Sequence, residues 1–154
     1  MIRIDIPATS ANLGSGFDSL GIALTMCNRV WMEEADELKI TTTDKIKVPT
    51  DDTILIYWAA RHLYQICGKT LPGLHIIQEN NIPMARGLGS SSACIVAGIL
   101  GANRMLGSPM SQSDLINLAA QIEGHPDNTS PAISGGLVAS AMEGKRVYSV
   151  SVPV

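Results

Sequence analysis

Aromatic side chains are scarce in this chain: one Phe, two Trp and three Tyr among 154 residues. Proteins that hold single-stranded nucleic acid stack successive bases on aromatic rings, and so few rings leave little for such a platform. Charge is scarce too, at 16% of residues, with 14 acidic against 11 basic side chains and a net charge of -3. No basic cluster is longer than a dipeptide such as Lys145-Arg146, so no nucleic-acid partner is expected. The three cysteines, Cys27, Cys67 and Cys94, are odd in number, far apart and set among apolar neighbours. They do not fit a disulfide frame or a Cys-x-x-Cys metal site, and suit buried thiols in a reducing compartment. No hydrophobic run approaches the length of a membrane span, and the alternating opening Met1-Ile2-Arg3-Ile4-Asp5-Ile6 lacks a signal-peptide shape. A cytoplasmic protein without membrane contact is the expectation.

What is present is a globular composition, 45% hydrophobic, long enough for one domain over residues 1–154 with a real core. Ile2, Ile4 and Ile6 alternate with Arg3 and Asp5, which predicts a half-buried first strand ended by Pro7. A small polar segment (8–16) and an apolar stretch (17–24) follow, then short strands near 28–33 and 37–42. Asp51 and Asp52 open a predicted helix that runs through Ile66 and stops at Gly68. Residues 74–78 read as a strand and 93–106 as a helix ended near Gly107-Ser108-Pro109. Ser111 with Asp114 resembles a capping box, ahead of Leu115, Leu118, Ala119 and Ile122 at helical spacing and a stop at Gly124. Residues 128–134 suit one short turn, and 137–142 and 147–152 suit strands joined by a hairpin at Gly144-Lys145. Strands and helices mix without strict alternation, so an α+β fold is expected over a doubly wound sheet. Ending just after a strand-like run, the sequence reads as the front part of a longer protein.

The most informative stretch is Pro83-Met84-Ala85-Arg86-Gly87-Leu88-Gly89-Ser90-Ser91-Ser92-Ala93. Two glycines run into three hydroxyls, and an apolar helical pattern follows. The first turn of a helix carries unpartnered N–H groups and partial positive charge, and glycines upstream let a bulky anion approach the backbone. A phosphate chain is the natural guest. The look-alikes fail in turn. A dinucleotide fingerprint needs a glycine where Ser92 stands, and Gly68-Lys69-Thr70 lacks the Walker A glycine, Leu63 being in its place. A hydrolase elbow is nearly present at Gly89-Ser90-Ser91-Ser92-Ala93, but His125 before Asp127 reverses the expected order of its partners. On spacing alone, a plain loop with serines capping a helix is an equal reading.

Two further motifs decide between these. The first is Pro7-Ala8-Thr9-Ser10-Ala11-Asn12-Leu13-Gly14-Ser15-Gly16-Phe17-Asp18; the other is Glu123-Gly124-His125-Pro126-Asp127-Asn128, followed by Ser130-Pro131-Ala132 and Gly135-Gly136. Their order and wording, with the central loop between them, resemble the GHMP small-molecule kinases, and within that superfamily the homoserine kinases, over essentially the whole chain. The resemblance implies a two-layer α+β N-terminal domain, related to the second domain of ribosomal protein S5, with most of a second domain missing. It implies transfer of the ATP γ-phosphoryl group to the side-chain hydroxyl of L-homoserine, for threonine synthesis, with Mg²⁺ as the metal.

By the same resemblance Pro83 through Ala93 wrap the triphosphate, Ser90 or Ser91 ligates Mg²⁺ and Glu123 completes the metal site. Asn12, Asp18 and Asp127 contact the amino acid, and Asp127 orients the acceptor hydroxyl. Read without it, Glu123 is a solvated last-turn residue, Asn12 and Asp18 suit a tight turn, and Asp127 suits a helix N-cap. Glu123, His125 and Asp127 could also form a transition-metal trio, though Gly124 and Pro126 break any regular ligand geometry there. His125 is given no chemistry. Thr53 replaces the usual asparagine, which leaves adenine contacts around Thr53, Ile54 and Leu55 open. Two other readings stay open: a GHMP kinase for a mevalonate-type or sugar substrate, and a catalytically incomplete nucleotide-binding fragment. The face that would meet a second domain is expected to be apolar and exposed, which allows association, a homodimer included.

Overall fold

The computed structural model describes residues 1–11, 19–49 and 54–153. Among them run β1 (Ile2–Ala11), β2 (Leu20–Glu34), β3 (Lys39–Thr42), α1 (Leu55–Ile66), β4 (Leu74–Glu79), α2 (Ser90–Met105), α3 (Gln112–Glu123), α4 (Thr129–Ser134), β5 (Leu137–Glu143) and β6 (Arg146–Val152). The expected helix opening at Asp51 and Asp52, and the candidate residues Asn12 and Asp18, lie outside the described residues.

The 15-residue β2 organises the sheet. It pairs antiparallel with β1 from Ile2↔Met32 to Ala11↔Gly21. A strand has only two edges, so β4 and β5 share the other one: β4 takes residues 29–34 of β2 and β5 takes residues 20–22. β3 joins β4 in parallel and β6 joins β5 antiparallel, giving the order β3-β4-β2-β5-β6 with β1 on the far edge of β2. The mixed sheet with helices segregated to one side is the expected α+β class.

Alternation explains which side is covered. Ile4, Ile6, Val30, Met32, Leu74 and Ile76 are buried, while their neighbours Arg3, Asp5, Trp31, Glu33, His75 and Ile77 are exposed or half-buried on the open face. α2 lies in the middle of the covered side. Its Gly98 sits against the Ile56 carbonyl of α1, and a Cβ at Gly101 would collide with the Met32 sulfur of β2. Lacking side chains at these two crossings, α2 approaches both layers closely. Leu63 and Tyr64 of α1 and Val96 and Ile99 of α2 are fully buried in the core, the three aliphatic side chains each contributing about 1.5–3 kcal/mol.

Three boundaries differ from expectation, each for a physical reason. β1 does not end at Pro7. Pro7 pairs with Cys27 and Thr9 with Ala23, so the register shifts across Ala8, where a residue without an N–H donor costs the ladder little. The apolar stretch at 17–24 and the strand at 28–33 merge, within the described residues, into β2. α2 begins at Ser90, ahead of the expected 93, because its first turn is set by backbone geometry before its side chains reach the core. The capping box does form, Ser111 Oγ accepting from the Asp114 amide at 3.2 Å and Asp114 Oδ2 from the Ser111 amide at 3.1 Å. Gly124 ends α3 in the left-handed region, and Gly144 makes the β5–β6 turn.

Candidate active site

The glycine loop is anchored before it begins. Asn28, an inward-facing polar residue of β2, accepts hydrogen bonds from the amides of Asn81 (2.6 Å) and Ile82 (2.8 Å). Asn81 Nδ2 donates to the Cys27 carbonyl at 3.0 Å. From Pro83 to Gly87 the chain is exposed. Its φ is positive at Ala85 (56°), Gly87 (71°) and Gly89 (70°) but not at Arg86 or Leu88. Such sign alternation is a feature of the backbone concavities that bind anions. Glycine adopts these angles freely, whereas Ala85 holds its own at a cost of about 1–2 kcal/mol.

The loop is closed where the Thr9 amide donates to the Leu88 carbonyl at 3.0 Å. Gly89 precedes α2 without a side-chain cap, and the Ala93 amide closes the first helical bond on the Gly89 carbonyl at 2.9 Å. Met84 and Ala85 form a hydrogen-bonded turn, and no amide from Gly87 to Ser92 has a hydrogen-bond partner among the described residues. Loop and helix N-terminus together therefore offer one cluster of unspent donors.

The three serines face different surroundings. Ser92 is buried, Ser90 half-buried, and Ser91 exposed with its Oγ 3.5 Å from Glu123 Oε2, to which it donates. Glu123 is the last residue of α3, and its carboxylate has no cationic partner among the described residues. These two side chains line an open cleft of about 450 Å³ with Leu55, Trp58, Ile95 and Ile122. The exposed Trp58 indole is stacked on His62, centroids 5.5 Å apart and planes 2° from parallel. A separate hollow of about 390 Å³ beside Ile40, Thr42 and Lys45 includes no loop residue.

The third motif approaches the same place from α4. Asp127 is 1% exposed, and its Oδ1 is engaged by Nδ1 of His125, whose side chain is 42% exposed. Burial follows from close packing: a Cβ on Gly21 would overlap the Asp127 carbonyl oxygen. The carboxylate is thus spent on the imidazole, and the ring reaches solvent in its place. Asn128 accepts the Thr9 hydroxyl at 2.8 Å, while the hydroxyls of Thr129 and Ser130 are buried without a partner among the described residues.

Residues from all three motifs therefore meet at Thr9, Leu88-Gly89 and Asn128, and Glu123 joins them at Ser91. The trio Glu123, His125 and Asp127 forms no metal-holding group among the described residues. The motifs alone do not single out Asn28, Thr9 and Asn128, which tie these segments together. Asn28 was detectable as a polar residue in phase with the inward positions Val30 and Met32.

A family model described as "GHMP kinases N terminal domain" matches residues 54–136, more than half of the chain. A homoserine kinase of Clostridium botulinum is 43% identical over 154 residues, all of this chain and 52% of that relative. One of Trichodesmium erythraeum is 49% identical over 150 residues, 93% of this chain and 49% of the relative. The crystal structure of homoserine kinase from Cytophaga hutchinsonii superposes with a TM-score of 0.85 at 30% identity, covering 99% of this chain and 52% of that one. Mevalonate kinase of Methanococcus jannaschii, with a TM-score of 0.75 at 15% identity, shares the fold alone. The chain spans about half the length of the curated relatives it matches. With its glycine loop, its helix-borne serines and its α+β sheet, the chain belongs to the GHMP kinase family and carries that family's N-terminal domain.

Proposed function

We propose that this chain is the nucleotide-binding half of an ATP-dependent kinase that converts L-homoserine to O-phospho-L-homoserine. The observation that carries the reading is the run of amides from Gly87 to Ser92 without a partner among the described residues, opening beside Ser91 and Glu123. The names of the relatives at 43–49% identity supply the acceptor. The acceptor oxygen bonds to the γ-phosphorus as the bond to the β–γ bridging oxygen breaks, and ADP leaves with that electron pair. The loop amides hold the phosphate oxygens while charge shifts among them. Asp127 acts through His125, orienting the ring so that its outward nitrogen takes the hydroxyl proton; such a transfer depends chiefly on positioning and needs no strong base. Asn12 and Asp18 complete the proposal as contacts to the amino-acid end. The apolar wall of Leu55, Trp58 and Ile122 suits the nucleoside.

A hard divalent cation such as Mg²⁺ fits the donors present. Ser91 offers a hydroxyl, with Ser90 one residue away, and Glu123 offers a carboxylate free of any described cation; phosphate oxygens and water complete an oxygen shell. When bound, such an ion neutralises triphosphate charge.

Titration of the 154-residue protein with Mg-ATP should change its tryptophan fluorescence through Trp58 and leave that change absent in Trp58→Phe. Coupled detection of ADP with L-homoserine, against mevalonate and a sugar, then tests the acceptor. Binding without turnover supports the incomplete-fragment reading, which the half-length coverage favours. Absence of nucleotide binding overturns the kinase reading.

A further inference from the structure

We propose that Thr9 is the positioning residue that locks the glycine loop and the Asn128 turn into one register. The inference rests on the preceding reading only for what the two segments bind; the lock itself stands on contacts. Thr9 is 1% exposed at the irregular end of β1. Its amide donates to the Leu88 carbonyl at 3.0 Å and its hydroxyl to Asn128 Oδ1 at 2.8 Å. Its hydroxyl oxygen also occupies the space left by the missing side chain of Gly89; a Cβ there would collide with it and would lie 3.3 Å from Asn128 Oδ1. One residue thus touches segments 79 and 119 positions away in sequence, the first through its amide and the second through its hydroxyl.

The chemistry of threonine suits this. A β-branched side chain has few χ1 states, so the hydroxyl direction is held by the strand backbone. With Oδ1 of Asn128 engaged, the carboxamide has its NH₂ left to offer, a donor like the loop amides. Phosphoryl donor and acceptor must be aligned within a fraction of an ångström, and an error of about 1 Å costs on the order of 100-fold in rate. Thr9 is where the two segments acquire a common reference.

The test compares Thr9→Val, which keeps the shape and removes the hydroxyl, with Thr9→Ser, which keeps the hydroxyl. In ¹⁵N-labelled protein, Thr9→Val should shift both the Gly89 backbone amide and the Asn128 side-chain NH₂ signals, and Thr9→Ser should restore them. Where the wild type turns over, Thr9→Val should lower kcat tenfold or more with KM for ATP changed less than twofold, and Thr9→Ser should recover most of it. Unmoved signals in Thr9→Val, or a Thr9→Ser protein that behaves like Thr9→Val, overturn the proposal. Should Thr9→Val not fold, Asn128→Ala must shift the Gly89 amide through Thr9, and no shift overturns it equally. A wild type that binds no nucleotide sinks the kinase reading, while the spectra still decide the role of Thr9.

Discussion

Gly87 and Gly89 both have φ near 70°, yet only one is also confined by its neighbours. Nothing lies within 4 Å of a Cβ built at Gly87, whereas at Gly89 it meets the Thr9 hydroxyl. Gly87→Ala should therefore cost about 1–2 kcal/mol in urea unfolding, the left-handed penalty alone, and weaken nucleotide binding severalfold. Gly89→Ala carries that penalty plus a steric conflict that pries the loop from β1, and should abolish binding. Equal effects of the two in calorimetric titration would contradict the packing described. Glu123 separates metal from fold in the same way. Glu123→Gln should lower affinity for Mg-ATP about tenfold while affinity for metal-free ATP and the melting temperature barely move, because among the described residues the carboxylate supports only the exposed Ser91. At this scale the loop was legible, since glycines and hydroxyls announce backbone chemistry directly. The placement of Asp127 behind His125 was not, because it depends on Gly21, a residue of β2 more than a hundred positions away.

Among the helices, α3 shows a separation between an element's stability and the chemistry it carries. Its capping box is at the N-terminus and Glu123 at the C-terminus, 12 residues and about 18 Å apart. Ser111→Ala should cost about 1 kcal/mol of stability, read from the urea midpoint, and leave Mg-ATP affinity unchanged. The box was readable because Ser111 and Asp114 lie three residues apart in front of a periodic apolar run. The strands were harder. Pro7 looks like a terminator, and only the shift of register opposite residues 24–26 of β2 lets the strand continue past it. The start of α2 was hidden for a different reason: Ser90 and Ser91 are polar and leave no apolar periodicity to follow.

The molecule as a whole responds to alkali through groups its core has claimed. Burial pushes the Cys94 thiol up to about 11, from an ordinary value of 9.0. Burial, and then the hydrogen bond from its hydroxyl to Glu34 at 2.5 Å, raises Tyr64 as well. In each case the folded state holds its proton more tightly than the unfolded chain, so the unfolded chain binds fewer protons above about pH 8.5. Stability is complete below that point and falls as pH rises through 11. The urea midpoint at pH 10.5 should accordingly lie below that at pH 8, and Cys94→Ala should lose the early part of the decline.

The family resemblance of the three motifs implies one site, but not how they are brought together. That is the work of β2, which no local pattern identifies as a single strand. β4, which feeds the glycine loop, and β5, which follows α4, are hydrogen-bonded to the same edge of it. The glycine-loop and α4 segments are therefore measured off a common ruler, and neither can drift without the other. Slow breathing of that strand would loosen both segments in one event, and amide exchange at its two ends should keep the same time.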